Sequence, residues 1–160
     1  MCVTLLPSRV LGSGHMPDDL QYRAEDIPLT LRQATHSPRL LYVEDMVEIA
    51  EVTCLMLEDL GLDITVVNSA EEALALTEPE SAHFDIVLTD VVLPGLSGIH
   101  LARRLNRRWP DLPIILVSGY SEELALGYAN QYELIRKPFS RGTLIDALQR
   151  HLDASVHPHA

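Results

Sequence analysis

Residues 84–98, FDIVLTDVVLPGLSG, decide the reading of this 160-residue chain. The run Ile86-Val87-Leu88 is apolar without polar alternation, which suits a strand covered on both faces. It runs out at a carboxylate, Asp90, and Pro94, Gly95 and Gly98 then make a turn. Past Gly98, Leu101 and Leu105 recur at helical spacing. Strand, polar end, loop and helix follow one another within about two dozen residues.

The same unit repeats on either side. RLLYV (39–43), ITVVN (64–68), PIILVS (113–118) and ELIR (133–136) are short apolar runs like FDIVLT (84–89). Four helical stretches lie between the five runs and a fifth follows the last, the alternation of a parallel α/β sheet. The fold class is therefore α/β, a doubly wound open sheet of five strands and five helices. In such sheets ligands bind beyond the carboxyl ends of the strands.

Local chemistry supports these elements. From about Met46 to Leu60, Val47, Ala50, Cys54 and Leu57 form one apolar stripe, and Gly61 stands where a left-handed C-terminal residue is expected. Ser69-Ala70-Glu71-Glu72 is a capping box opening the second helix. The fifth helix begins at Ser140 and carries Leu144, Ile145, Leu148 and Leu152 on one side.

Residues 39–152 thus form one domain. Residues 1–38 are broken by Pro7, Gly12, Gly14, Pro17 and Pro28, and GSGHM (12–16) resembles a cloning junction, so this stretch reads as a linker, a disordered segment or an expression-derived leader. Residues 153–160 read as a tail whose His157 and His159 belong to a frayed terminus.

Asp and Glu number 23 against 12 Lys and Arg, a formal charge of −11, which disfavours direct nucleic-acid binding. Thirteen of the acids lie between Leu40 and Ala102, where no Lys or Arg occurs, so an anion bound there needs a cation. Two cysteines, Cys2 and Cys54, point to a reducing compartment rather than a disulfide. No apolar run reaches the ~18 residues of a membrane span, and the start has no signal-peptide pattern, so the expectation is a cytoplasmic protein without a membrane partner.

The strand ends are polar without exception: Glu44-Asp45 after the first, Asp90 at the third, Ser118 at the fourth, Lys137-Pro138 after the fifth. If the first and third strands are neighbours, three carboxylates converge and repel unless a cation intervenes. Hard oxygen donors with no nearby His or Cys favour Mg²⁺, which keeps open positions for phosphate oxygens. Ser118 adds a hydroxyl and Lys137, the single lysine of the chain, a compact positive charge. Together they make a site for phosphoryl chemistry.

YVED (42–45), VLTDVVLPGLSG (87–98), ILVSGYS (115–121) and IRKPF (135–139), in this order and spacing, resemble the receiver domain of response regulators in two-component signalling. The resemblance implies a flavodoxin-like sheet of order 2-1-3-4-5 and a phosphoacceptor at Asp90 that takes its phosphoryl group from a histidine kinase or a phosphotransfer histidine. It implies Mg²⁺ held directly by Asp45, by Glu44 through water, by Asp90 and by the backbone carbonyl of Val92. Ser118 and Lys137 would engage the phosphoryl group, with Gly119 leaving room for it and a cis peptide before Pro138 aiming the lysine. Kinase docking is implied along the first helix, with output through protein contacts, from either a stand-alone regulator or the C-terminal receiver of a hybrid histidine kinase.

The match departs at three positions. Receivers commonly carry an aromatic ring three residues before the lysine, where this chain has Leu134; Tyr132, two residues back on the same strand face, is the candidate substitute. Val92 and Tyr120 fall where the family tunes loss of phosphate; neither a Val nor a screening Tyr ring positions an attacking water, so self-dephosphorylation is expected to be slow. Arg103, Arg104, Arg107 and Arg108 make a basic face on the third helix, solvated or used for protein docking. His83 and His100 have no ligand-spaced partners.

Two other classes compete. A haloacid-dehalogenase-type phosphatase also uses a strand-end Asp, but needs an acid two residues on, where Val92 stands. A flavin-binding protein of the same topology needs a Ser/Thr/Gly phosphate loop after the first strand, where Glu44-Asp45-Met46 would repel phosphate. A phosphorylation-independent interaction domain is the remaining alternative. The expected role is that of a signalling phosphoacceptor, not an enzyme acting on a separate substrate.

Overall fold

The five apolar runs pair as one parallel sheet in the order β2-β1-β3-β4-β5. The computed structural model describes residues 37–79, 83–119 and 131–155. Its strands are β1 (Arg39–Val43), β2 (Asp63–Val67), β3 (Ile86–Asp90), β4 (Ile114–Ser118) and β5 (Glu133–Arg136). Four α-helices occur among the described residues: α1 (Val47–Leu57), α2 (Ala70–Thr77), α3 (Gly98–Arg108) and α4 (Arg141–Ser155). The helix expected between the fourth and fifth strands falls largely on residues 120–130, outside the described residues, as do Tyr120, residues 1–36 and residues 156–160.

Side-chain alternation sorts the core into two layers. Leu41, Val43, Val87, Leu116 and Ile114 face α2 and α3, joining Ala70, Ala73, Leu101 and Leu105. Leu40, Tyr42, Ile86, Leu88, Ile115 and Val117 face α1 and α4, joining Ala50, Leu57, Leu144, Ile145 and Leu148. Every residue of β3 and β4 is buried, as their unbroken apolar character requires.

The helix ends follow the sequence signals. Ser69 Oγ accepts a hydrogen bond from the Glu72 N–H at 3.3 Å, and Glu72 Oε2 accepts from the Asn68 N–H at 3.3 Å. Gly61 has φ 68°, in the left-handed region where a side chain is disfavoured. The first helix is shorter than its apolar stripe suggested: residues 58–60 tighten into a 3₁₀ turn. Val47, placed in that stripe by spacing, is 63% exposed. It opens the helix past the rim of the sheet, and the inward stripe consists of Ala50, Thr53 and Leu57. Leu144, Ile145, Leu148 and Leu152 of α4 are all buried.

Candidate functional site

Period-two alternation carries three charged groups to one place. Leu40, Tyr42 and Glu44 share a face of β1 and its extension; Ile86, Leu88 and Asp90 share the same face of β3; Ile135 and Lys137 continue it from β5. Tyr42 pairs in register with Leu88, so Glu44 comes level with Asp90 at the carboxyl rim. Lys137 reaches back across from β5, behind a cis Lys137–Pro138 peptide bond.

The Lys137 ammonium donates to Glu44 Oε2 at 2.9 Å and also forms an ion pair with Asp90 Oδ2. Burial by itself would lower the pKa of this ammonium, but the hydrogen bonds and charges of Asp90 and Glu44 outweigh it and hold it above the ordinary lysine value. Asp90 Oδ1 accepts the Val92 N–H at 2.9 Å, which fixes the carboxylate plane. Asp90 is largely buried at the strand rim, 8% exposed, and held there by its neighbours. Glu44 is buried, and its Oε1 accepts the Met46 N–H at 3.3 Å.

Ser118 joins this group through its main chain and not through its hydroxyl. Ser118 is buried with its hydroxyl donating to the Gly119 carbonyl at 3.1 Å, and its own carbonyl accepts the Lys137 N–H at 2.7 Å. Among the described residues, a Cβ on Gly119 would meet nothing within 4 Å. Asp45 is exposed, as is Val92. Among the described residues, no three His, Cys, Asp or Glu side chains are disposed to hold a metal ion. The convergence of three carboxylates expected from the strand ends is realised instead as two carboxylates bridged by Lys137, because the lysine stem is long enough to bring its charge between them. The donor set still suits a hard divalent cation: Glu44, Asp45 and Asp90 carry three negative charges against one ammonium, and every donor is oxygen.

Spacing did not disclose the second layer of the site. The Tyr42 hydroxyl lies 3.2 Å from Thr53 Oγ1 on α1 and 3.4 Å from Glu44 Oε2. Burial pushes the Tyr42 phenol well above its ordinary pKa; the Thr53 hydrogen bond opposes this and the charge on Glu44 adds to it. A tyrosine in a strand covered on both faces has to find a polar partner, and that was the available signal. Spacing also missed the exposed apolar group Met46, Val47, Val52 and Leu55 beside the rim.

Other candidates lie elsewhere. Tyr132 and Leu134 pack into the α2/α3 layer, on a common strand face. Arg103, Arg104, Arg107 and Arg108 are exposed on α3, with Arg108 donating to the Glu78 carbonyl at 2.5 Å. His83 lies 3.1 Å from Asp85, and His100 Nδ1 lies 2.8 Å from Ser97 Oγ.

The family profile of the response regulator receiver domain matches residues 40–149. The chain belongs to that family. Among curated proteins it is 30% identical to the sensor kinase CckA of Brucella abortus, over 82% of this chain and 15% of that protein. It is 32% identical to the C4-dicarboxylate transport transcriptional regulatory protein DctD of Rhizobium meliloti, over 71% of this chain and 25% of that one. The receiver thus spans a quarter or less of these relatives. Among solved structures, a CheY-like receiver domain protein from Methanospirillum hungatei aligns with TM-score 0.67 and 28% identity, over 75% of this chain and 97% of that one. A sensor protein from Polaromonas aligns with TM-score 0.64 and 34% identity, over 73% and 97%. Receivers of this family serve as phosphoacceptors in two-component systems and phosphorelays and work with histidine kinases or phosphotransfer proteins. Among the described residues, no helix of this receiver is long and apolar enough to cross a membrane.

Proposed function

We propose that Asp90 of this receiver accepts a phosphoryl group from a phosphohistidine of a cytoplasmic kinase or phosphotransfer protein and so switches protein contacts. The observation that carries this reading is the paired hold on Asp90 at the carboxyl rim of the sheet: Val92 N–H on Oδ1 and the Lys137 ammonium on Oδ2. A carboxylate oxygen of Asp90 attacks phosphorus, the phosphorus–nitrogen bond of the donor breaks, and an acyl phosphate forms. Lys137 then balances charge on the transferred group, and Ser118 turns its hydroxyl from the Gly119 carbonyl toward a phosphoryl oxygen. Among the described residues nothing stands within 4 Å of where a Cβ on Gly119 would be, which suits room for that group.

Asp45 and Asp90, the Val92 carbonyl, and Glu44 through water would hold Mg²⁺, which supplies further neutralisation of the phosphoryl oxygens. Glu44 suits the indirect place because its oxygens already accept from Met46 N–H and Lys137. The exposed apolar residues Val47, Val52 and Leu55 of α1, interspersed with Glu48 and Glu51, suit a docking kinase beside the rim. The exposed Val92 offers no group to position a hydrolytic water, which favours a long-lived phosphoryl state.

Incubation with Mg²⁺ and acetyl phosphate tests the assignment. Intact mass rises by about 80 Da, one phosphoryl group, in the wild type and not in Asp90→Asn. An unchanged wild-type mass, or equal labelling of the variant, refutes it.

A further inference from the structure

The loop 91–97 that follows Asp90 is held at three points, and one of them lies away from the strand rim. At its near end the Val92 N–H donates to Asp90 Oδ1 at 2.9 Å. At its base the Gly98 N–H donates to the Val91 carbonyl at 3.0 Å. At its far end the Leu96 N–H reaches across to α2 and donates to Glu71 Oε1 at 3.0 Å. Gly95 is shaped for that third hold. Its φ of 78° lies in the left-handed region, and a Cβ there would stand 2.9 Å from the same Glu71 oxygen. A bare turn of backbone thus lies against the carboxylate.

Glu71 has no competing task in its own helix. The cap of α2 is completed by Ser69, which accepts the Glu72 N–H, and by Glu72, which accepts the Asn68 N–H. Among the described residues the exposed Glu71 carboxylate makes one hydrogen bond, and it goes to the loop. We propose that Glu71 is a positioning residue for the cation site. The inference rests on the phosphoacceptor reading, in which the Val92 carbonyl is a Mg²⁺ ligand. A loop that must be ordered when a ligand binds costs affinity, and a partner behind a ligand sets its orientation. Glu71 fixes the far end of this loop in advance, so that Val92, four residues before Leu96, presents its carbonyl with less freedom left to lose. It acts through its acceptor oxygen on Leu96, without touching the cation.

Two substitutions separate this hold from the mere presence of another negative charge. Glu71→Gln keeps an acceptor oxygen at the same reach and removes the charge. Glu71→Asp keeps the charge on a stem one methylene shorter, too short for the Leu96 N–H. Mg²⁺ is titrated into the wild type and both variants, with binding read by amide NMR shifts; hydrogen exchange at the Leu96 amide and the melting temperature are measured on the free proteins. Glu71→Gln should bind Mg²⁺ as tightly as the wild type and keep the Leu96 amide protected. Glu71→Asp should bind about threefold more weakly, toward the lower end of what one hydrogen bond supplies because this one is exposed, and its Leu96 amide should exchange faster. Weakening in Glu71→Gln that matches or exceeds that in Glu71→Asp overturns the proposal, because the carboxylate then acts on the cation through its charge. Equal binding by all three proteins also overturns it, as does a loss in Glu71→Asp that only follows a lower melting temperature. A wild type that binds no Mg²⁺ overturns the cation site of the phosphoacceptor reading along with this inference, a result distinct from the others.

Discussion

Gly98 and Asp90 meet backbone to backbone: a Cβ on Gly98 would stand 1.9 Å from the Asp90 carbonyl oxygen. The Gly98 N–H also donates to the Val91 carbonyl at 3.0 Å, so the start of α3 is seated directly on the Asp90–Val91 segment. The obstructing atom is main chain and cannot swing away. Gly98→Ala should therefore destabilise the fold by about 3 kcal/mol, the upper part of the usual overpacking range. Urea unfolding measures this, and the same variant should be phosphorylated more slowly because Asp90 has to shift.

Removing the bridging cation should hurt the fold as well as the chemistry. Lys137→Ala leaves Glu44 and Asp90 facing one another at a buried rim. Loss of one partner from a buried pair costs about 3–5 kcal/mol, and the partial exposure of Lys137 and Asp90 puts this case at or below the lower end. Millimolar Mg²⁺ should restore part of the lost denaturation midpoint, and more of it in Lys137→Ala than in the wild type.

Alkaline pH should weaken the protein through three groups of the same sign. Burial raises the Cys54 thiol above its ordinary 9.0, with the charge on Glu51 adding to this, and burial chiefly raises the Tyr42 phenol above 10.0. Lys137 is raised above 10.5 because Asp90 and Glu44 outweigh its burial. Between these ordinary values and the raised ones the unfolded chain has lost protons that the folded chain keeps, so stability falls as pH rises. The contribution is complete below about pH 9. Chemical denaturation from pH 8 upward should show a falling midpoint, with a shallower fall in Tyr42→Phe.

The cap of α2 offers a smaller and cleaner test. Ser69→Ala removes the acceptor of the Glu72 N–H and should cost about 1 kcal/mol, the usual value of an N-cap side chain. Phosphorylation of Asp90 should be unaffected, since the hydrogen bond that is lost lies within the α2 cap and involves none of Glu44, Asp90 and Lys137.

Much of this architecture was legible because strands and caps are local. An apolar run with no alternation has to be covered twice, and Ile86-Val87-Leu88 is; a glycine after a helical stripe adopts the left-handed region, and Gly61 does. Boundaries moved by a residue or two where the cause was tertiary. Phe84, expected in the third strand, lies before it with Arg39 over its ring at 5.2 Å, while Asp63 joins β2 through its register with Arg39. The polar strand ends told which groups would gather, but not how they would pair. The reach of Lys137 to both Glu44 and Asp90 depends on a flexible stem, and the link from Tyr42 to Thr53 depends on how α1 lies across β1. Val47 was misplaced for a related reason: periodicity names a helix face, but not where the sheet beneath it stops.

Strand order also has a consequence for chains that are incomplete. Glu44 and Asp90 come from the two central strands, whereas their counter-charge arrives on β5, the outermost strand on the far side of β4. A chain that stops short of Lys137 keeps both acids and lacks the ammonium that pairs with them. The charge pairing at this rim is therefore complete only once the last strand of the sheet is in place.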